Sequence, residues 1–155
     1  IGVMVTGVIG AISLINFLVR SSTSSGNRFI ATNLASEAVE VVTNIRDSNY
    51  LAGDDFDTLL RGDGTAIASF DFESNIWSID FEPNSVRDEA ARMYLVKGLY
   101  IQNTNIPEGQ DTIFRRLLQF NYINDEQFSL DVTVEWSEAG TTRSVSIDRI
   151  FYDWR

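Results

Sequence analysis

The chain has 155 residues, 44% of them hydrophobic, and its 22 acidic side chains outnumber the 12 basic ones to give a formal net charge of -10. Residues 1–50 carry equal numbers of each sign, so the excess lies on residues 51–155, and such an acidic body repels phosphate and makes direct nucleic acid binding unexpected. The absence of cysteine and histidine excludes disulfide scaffolds, thiol nucleophiles, Ser-His-Asp triads and the commonest zinc ligands.

Residues 1–19 form an uncharged, apolar stretch that ends at Arg20. A helix of this length spans about 28 Å, close to the hydrocarbon thickness of a bilayer. It can therefore cross a membrane or fill the middle of a bundle of its own copies. The alternative is a removable signal peptide, whose apolar region usually covers about 7 to 15 residues before a small-residue cleavage site. Residues 16–20 are bulky instead, so we expect the segment to remain in the working protein.

A second helical pattern follows the polar, serine-rich run at residues 20–27. The composition of this run is typical of a linker, but Ser and Thr can return hydrogen bonds to the preceding turn, so we expect it to stay helical. Apolar residues at three- and four-residue steps predict an amphipathic helix at residues 28–50, ending between residues 48 and 53. The stripe expected on the domain core is Phe29, Ile30, Leu34, Ala38, Val41, Val42 and Ile45.

Residues 53–64 form an acidic loop with room for one short helical turn at residues 56–60. Closely spaced Asp residues suit a hard cation such as calcium, which prefers several oxygen ligands. No Glu stands at the closing position of a known calcium loop, and Gly62 and Gly64 are placed for turns. We interpret the stretch as a solvated loop, with a metal site as the alternative, and expect no cofactor.

From residue 65 onward apolar and polar residues alternate, which predicts antiparallel strands. The first hairpin turns at residues 74–75, and its carboxylates alternate with core aromatic residues. That alternation places them on the solvent face of a sheet and not in an acid/base pair. The apolar residues of the hairpin are Phe70, Phe72, Trp77, Ile79 and Phe81, and its carboxylates are Asp71, Glu73, Asp80 and Glu82.

Three further regions complete the predicted sheet. Residues 84–91 suit a loop or one helical turn, and residues 92–102 predict a hairpin that turns at Lys97-Gly98. A loop at residues 104–111 leads to a strand at residues 112–123. That strand contains Arg115 and Arg116, whose side chains point to opposite faces and which we interpret as solvent or lattice charges.

The final hairpin has the clearest alternation in the chain. Phe128, Leu130, Val132, Val134 and Trp136 face one way, which predicts a half-buried strand. A turn at residues 138–141 leads to a returning strand at residues 143–154. After Ile147 the apolar residues of that strand move from odd to even positions, and so from one face to the other. A β-bulge near Asp148 or Arg149 would restore the pairing.

Together these elements predict an α+β protein. One long N-terminal helix, apolar in its first half and amphipathic in its second, packs on an antiparallel sheet. Residues 1–27 form the membrane or filament-core helix, and residues 28–155 form a globular domain with its helix at 28–50 and its sheet at 65–155. The roughly 105 residues after the helix suffice for one packed domain.

This order of segments resembles the type IV pilin and pseudopilin superfamily, and within it the minor-pilin-like proteins. The likeness rests on residues 1–19, on NLASEAVEVV and NIRD within residues 33–47, on Phe114-Arg115-Arg116, and on the segments at residues 132–136 and 143–155. The Glu of the family's N-terminal motif does not occur before Glu37. We therefore expect a short segment that carries this Glu to precede Ile1 in the mature protein.

The resemblance implies a structural subunit of a type IV pilus-like filament, a fimbrium of the kind used in cell adhesion, and no enzyme. The helices would pack in the core and the acidic sheet domains would lie outside. By resemblance, the chain would reside in the inner membrane before assembly and on the cell surface afterwards. Its partners would be copies of itself, the prepilin peptidase and the inner-membrane assembly machinery.

Small residues in the apolar helix would let neighbouring backbones approach closely, and Gly7 and Ala11 have the required spacing. By resemblance, and because Gly7 and Gly10 each cost about 1 kcal/mol against Ala, we expect a helix interruption between Thr6 and Ile12 in the filament. The alternative function is a monomeric, signal-anchored extracytoplasmic binding domain. The residues expected to pack in the helix bundle are Val3, Val5, Gly7, Val8, Ile9, Ala11, Ile12, Ile15 and Leu18.

Overall fold

The computed structural model describes residues 2–62, 64–81, 83, 85–102 and 109–154, with side chains from residue 8 onward. The architecture is α+β, as predicted: one long N-terminal helix precedes a seven-stranded sheet whose strand pairs are antiparallel. Contacts divide the chain into two compact units, Ile1–Ile30 and Ala31–Arg155.

Helix α1 covers Gly2–Ala52. The serine-rich run is helical in this structure, and the Thr23 hydroxyl donates a 3.0 Å hydrogen bond to the carbonyl oxygen of Val19 in the preceding turn. The backbone is also helical between Thr6 and Ile12. The interruption predicted there concerns the assembled filament, so it stays a prediction.

A Schellman motif ends α1 within the predicted stop region. Gly53 has a φ of 83°, a left-handed conformation that glycine adopts without a Cβ clash. Its N–H donates to the Tyr50 carbonyl at 3.2 Å, and the Asp54 N–H donates to the Asn49 carbonyl at 3.0 Å. These bonds satisfy carbonyl groups that the helix itself leaves unpaired.

In the second unit, α1 buries one face against the sheet, starting at Ala31. The predicted stripe is confirmed from Leu34 to Val42, but it is wrong at Phe29, whose side chain is 68% exposed. At 3.6 residues per turn, Phe29 lies on the far side of the helix from the buried face. The buried apolar residues of that face are Ala31, Leu34, Ala35, Ala38, Val39, Val41 and Val42.

The long strand β5 forms the centre of the sheet. One edge of β5 pairs with β6, which pairs with β7. The other edge pairs with β1 and with β3, which lead outward to β2 and β4. A 3₁₀ turn forms at Glu89–Ala91, within the stretch where the sequence predicted either a loop or one helical turn. The strands are β1 (Gly64–Asp71), β2 (Ile76–Asp80), β3 (Arg92–Val96), β4 (Leu99–Ile101), β5 (Gln110–Asn124), β6 (Gln127–Glu138) and β7 (Thr141–Tyr152).

The predicted hairpins are confirmed. Lys97 and Gly98 both have positive φ, at 50° and 85°, as do Ala139 and Gly140 at 49° and 78°. Two successive positive φ values are typical of the type I′ turn, whose twist matches that of the flanking strands. The turns therefore fix the registers of the β3–β4 and β6–β7 pairs.

Strand β7 corrects one prediction. Its pairing with β6 runs without a register shift from Gln127↔Tyr152 to Glu138↔Thr141, so the β-bulge predicted near Asp148 or Arg149 is absent. The alternation of inward and outward residues continues to the end of the strand, because Phe151 is fully buried and points inward. Ile150 and Tyr152 are instead on the exposed side.

Arg116 corrects another prediction, because it is fully buried and is not a solvent or lattice charge. Its guanidinium donates to the side-chain oxygen of Gln102, the main-chain carbonyl of Leu34 and a carboxylate oxygen of Glu37, each at 3.0 Å. Burial lowers the pKa of Arg116, and the Glu37 carboxylate opposes that shift. Arg116 thus ties α1 to β5 from inside the core. Its neighbour Arg115 remains partly exposed.

A second cationic contact fastens the end of α1 to the C-terminal segment. The Arg46 guanidinium lies 4.4 Å from the ring centroid of Trp154, within the range of a cation–π interaction. Tyr50 stacks on the same indole at 5.9 Å and donates a 2.9 Å hydrogen bond to Asp153. Residues 44–50 at the end of α1 and residues 152–154, about a hundred positions later in the sequence, therefore meet in space.

Candidate assembly surface

The predicted bundle-packing residues lie on the first unit of α1. Val3, Val5 and Gly7 are within the helix, but their side chains lie outside the described residues. Ala11 is exposed. The other five have similar exposed fractions: Val8 59%, Ile9 58%, Ile12 54%, Ile15 58% and Leu18 56%.

The apolar surface extends around the helix and beyond the predicted residues. Leu14 at 59%, Phe17 at 67% and Val19 at 60% are as exposed as the residues singled out from the sequence. The signal that identifies them is that residues 8–19 carry no charge and only two polar side chains, Ser13 and Asn16. Apolar residues therefore occupy most of the circumference of the helix, and such a helix requires burial on more than one side. We name this surface, residues 8–19, the apolar cuff.

Gly10 and Gly26 on the first unit have open space beside them. A Cβ added at either position would meet no atom of another described residue within 4 Å, the backbone of its own helical turn aside. Glycine in a helix interior costs about 1 kcal/mol relative to alanine. Close packing of another helix against these glycines would offset that cost, because small residues let two helix backbones approach each other.

The two units differ in charge. Residues 1–30 contain Arg20 and Arg28 and no acidic residue, whereas the rest of the chain has ten basic and 22 acidic side chains. A cationic, apolar helix therefore precedes an acidic domain. Opposite charges on two units of one chain favour contacts between unlike surfaces of different copies.

Within the described residues, no helical stretch combines the length and the apolarity that a membrane span requires. Ile1 and the side chains of residues 2–7, where the predicted span begins, lie outside that description.

The described carboxylates of the acidic loop do not form a cluster. Asp55 is exposed, whereas Asp57 is buried and accepts a 2.8 Å hydrogen bond from the Arg61 Nε. Among the residues with described positions, no group of three or more acidic side chains could hold a metal ion. Asp63, which belongs to the predicted loop, lies outside the described ranges.

The carboxylates of the β1–β2 hairpin that are described lie in solvent. Asp71, Glu73 and Asp80 are exposed, and Glu82 lies outside the described residues. The Ser74 hydroxyl donates a 2.6 Å hydrogen bond to Asp71, which lowers the pKa of that carboxyl. Their exposure agrees with the solvent face predicted from the alternation of this hairpin.

No protein-family model, curated protein or solved structure matches the chain.

Proposed function

We propose that the protein is a structural subunit of a type IV pilus-like extracellular filament. The observation that carries the proposal is the apolar cuff, a contiguous exposed surface around a helix. Exposed apolar patches larger than a few hundred Å² are rare on soluble monomers and mark interaction sites. The cuff therefore needs a cover, and copies of the same helix offer one of matching length and chemistry.

Gly10 favours protein over lipid as the final cover. Lipid tails adapt to any helix surface, so they gain nothing from a glycine in a helix. A neighbouring helix gains close backbone contact there. In this proposal lipid of the inner membrane covers the cuff before assembly, and other helices cover it in the filament.

The acidic domain suits the outside of such a filament. Its net negative charge keeps the coated filament soluble. The domain also has its own buried core, which includes Phe120, Phe128, Leu130 and Val132, so its fold does not depend on the cuff. By resemblance, the prepilin peptidase and the inner-membrane assembly machinery would process and extrude the subunit.

The experiment purifies the full chain in detergent, removes the detergent and images the product by negative stain. We expect filaments from the unsubstituted chain. Ile15→Asp places a charge in the cuff and should abolish them, because charged groups are costly to bury without a partner. Thr142→Asp, an exposed change on β7, should leave them intact.

A full chain that stays monomeric after detergent removal would contradict the proposal, as would filaments that persist with Ile15→Asp. Monomers that remain in the membrane, with no filaments in material sheared from cells, would instead favour a signal-anchored binding domain.

A further inference from the structure

A groove on the second unit lies between α1 and the β1–β2 hairpin. Its volume is about 560 Å³, which is within the range of pockets that bind small molecules. It follows α1 from Glu37 to Asn49, a distance of about 18 Å at 1.5 Å per residue.

The far wall of the groove is apolar and exposed. Leu59 is 76% exposed and Ile76 is 60% exposed, and Trp77 lies beside them. Leu59 has a φ of 65°, a conformation that costs a branched residue free energy and that clusters at functional sites. The Asn49 amide, buried at the same groove, holds this loop by donating to the carbonyl oxygens of Phe56 and Thr58. The fold thus fixes an apolar side chain in solvent.

The helix wall of the groove is acidic. Glu37 and Glu40 line it, and no basic side chain is among the described residues that do. Glu37 shares one carboxylate oxygen with Arg116 at 3.0 Å, and Glu40 is exposed. The occupant should therefore be apolar on one part and cationic on another.

One segment of the chain has this chemistry. Phe17, Arg20, Ser24 and Arg28 follow one another at three- and four-residue steps, so they share one face of α1. Phe17 is 67% exposed, and the two arginines are the only charges in residues 1–30. Residues 17–28 of a helix span about 16 Å, which matches the length of the groove.

We propose that the groove receives residues 17–28 of α1 from a second copy of the chain, an inference that rests on the filament assembly proposed above. Phe17 of the second copy packs against Leu59 and Ile76, and its arginines face Glu37 and Glu40. Ser24, between the two arginines, keeps this face narrow enough to enter. The interaction adds a domain-to-helix contact to the contact between cuffs.

Disulfide trapping tests this contact directly, because the chain has no cysteine of its own. One population carries Ser24→Cys and a second, tagged population carries Ser48→Cys in the groove, so a mixed disulfide forms only between copies. Ser144→Cys, exposed on β7 and not part of the groove, replaces Ser48→Cys in the control. All three changes replace only a hydroxyl oxygen by sulfur.

We expect the mixed disulfide with Ser48→Cys to form about tenfold faster than the one with Ser144→Cys, because docking raises the effective concentration of the two thiols. Equal rates in preparations that form filaments would overturn the inference and leave the proposed function standing. Disulfides that form only between two copies of the Ser48→Cys variant would also overturn it. The groove of one copy would then face the groove of another. If the unsubstituted chain forms no filaments, both proposals fail.

A charge exchange gives a second reading of the same contact. Glu40→Arg alone and Arg28→Glu alone should each slow the disulfide between Ser24→Cys and Ser48→Cys several-fold. Each change places two like charges opposite one another, which disfavours docking. The two changes together should restore it. A double variant no faster than the single variants would show that these residues do not meet.

Discussion

The two parts of α1 are built from similar residues but bury them in opposite ways. In residues 8–19 the valines, isoleucines and leucines occupy more than half of the helix circumference, and each described one is more than half exposed. In residues 31–42 the apolar side chains share one face, and Leu34 and Val42 are 3% and 0% exposed. One helix therefore completes a core within the chain in its second part and keeps its apolar residues exposed in its first part.

The pattern of residues explains the difference better than their hydrophobicity. A stripe can be covered by one sheet, and Glu40 and Thr43 are then left for solvent or side-chain hydrogen bonding. A helix that is apolar over most of its circumference cannot be covered by a sheet on one side alone. The predictions below test this division, from the largest expected change in stability to the smallest.

Trp136→Ala should have the largest effect, because the indole is 4% exposed and packs near Phe114 on the core side of β6. Removing a buried aromatic side chain costs about 3 to 5 kcal/mol of unfolding free energy. Chemical denaturation of the detergent-solubilised chain measures it. Trp136→Phe is the matched control and should cost less, since it keeps a ring and removes an N–H that has no hydrogen-bond partner among the described residues. An unchanged midpoint for Trp136→Ala would show that β6 is oriented wrongly.

Leu34→Ala and Leu18→Ala make the same truncation on the two parts of α1. Leu34 is 3% exposed and Leu18 is 56% exposed. Leu34→Ala should cost about 2 to 5 kcal/mol in the same denaturation experiment. Leu18→Ala should leave the midpoint unchanged and reduce the filament yield. Equal losses of stability from the two substitutions would contradict the division between the cores.

Gly10→Ala should stabilise the isolated helix and weaken assembly. A Cβ at this position meets no other described residue within 4 Å outside its own helical turn, so the change should add about 1 kcal/mol to helix stability. It should also prevent close approach by a neighbouring helix. Circular dichroism in detergent measures the first effect, and pelleting of filaments measures the second. Filament yields that rise with Gly10→Ala would show that no helix approaches there.

Deletion of residues 1–27 should have the smallest effect on the domain. Every residue of the described apolar core lies after this segment, so we expect a folded monomer that needs no detergent. Light scattering coupled to size-exclusion chromatography gives its mass, and thermal melting gives its stability. Aggregation of the truncated chain would show that residues 28–155 also depend on the deleted helix.

Periodic patterns and turn residues were sufficient to predict most of the fold. Alternation in β6 assigned its buried side chains because half-buried strands have a period of two. Lys97-Gly98 and Gly140 marked turns because those positions need positive φ. The end of α1 followed from Gly53 in the same way. These features are local, so the sequence alone can show them.

The features that the sequence did not show depend on long-range contacts. Arg116 is separated from Leu34 and Glu37 by the whole β1–β4 region, and a charged residue on a strand is usually a surface residue. Ile150, Tyr152 and Trp154 at the end of the chain suggested a change of face, although Phe151 continues the inward positions of Val145 and Ile147. The groove required Leu59 to be held in a conformation that leucine rarely adopts. Neither the burial of Arg116 nor the groove has a local signature, whereas the position of Phe151 follows from the period of two in its own strand.

The most direct test of the two-core account is a cryo-electron microscopy map of filaments assembled from the full chain. We expect residues 8–19 of neighbouring copies to pack with helix axes about 8 to 10 Å apart, with the acidic domains outside. The same map would show whether the helix loosens between Thr6 and Ile12. A map in which the cuffs do not touch one another, and detergent or lipid surrounds each helix separately, would contradict the account.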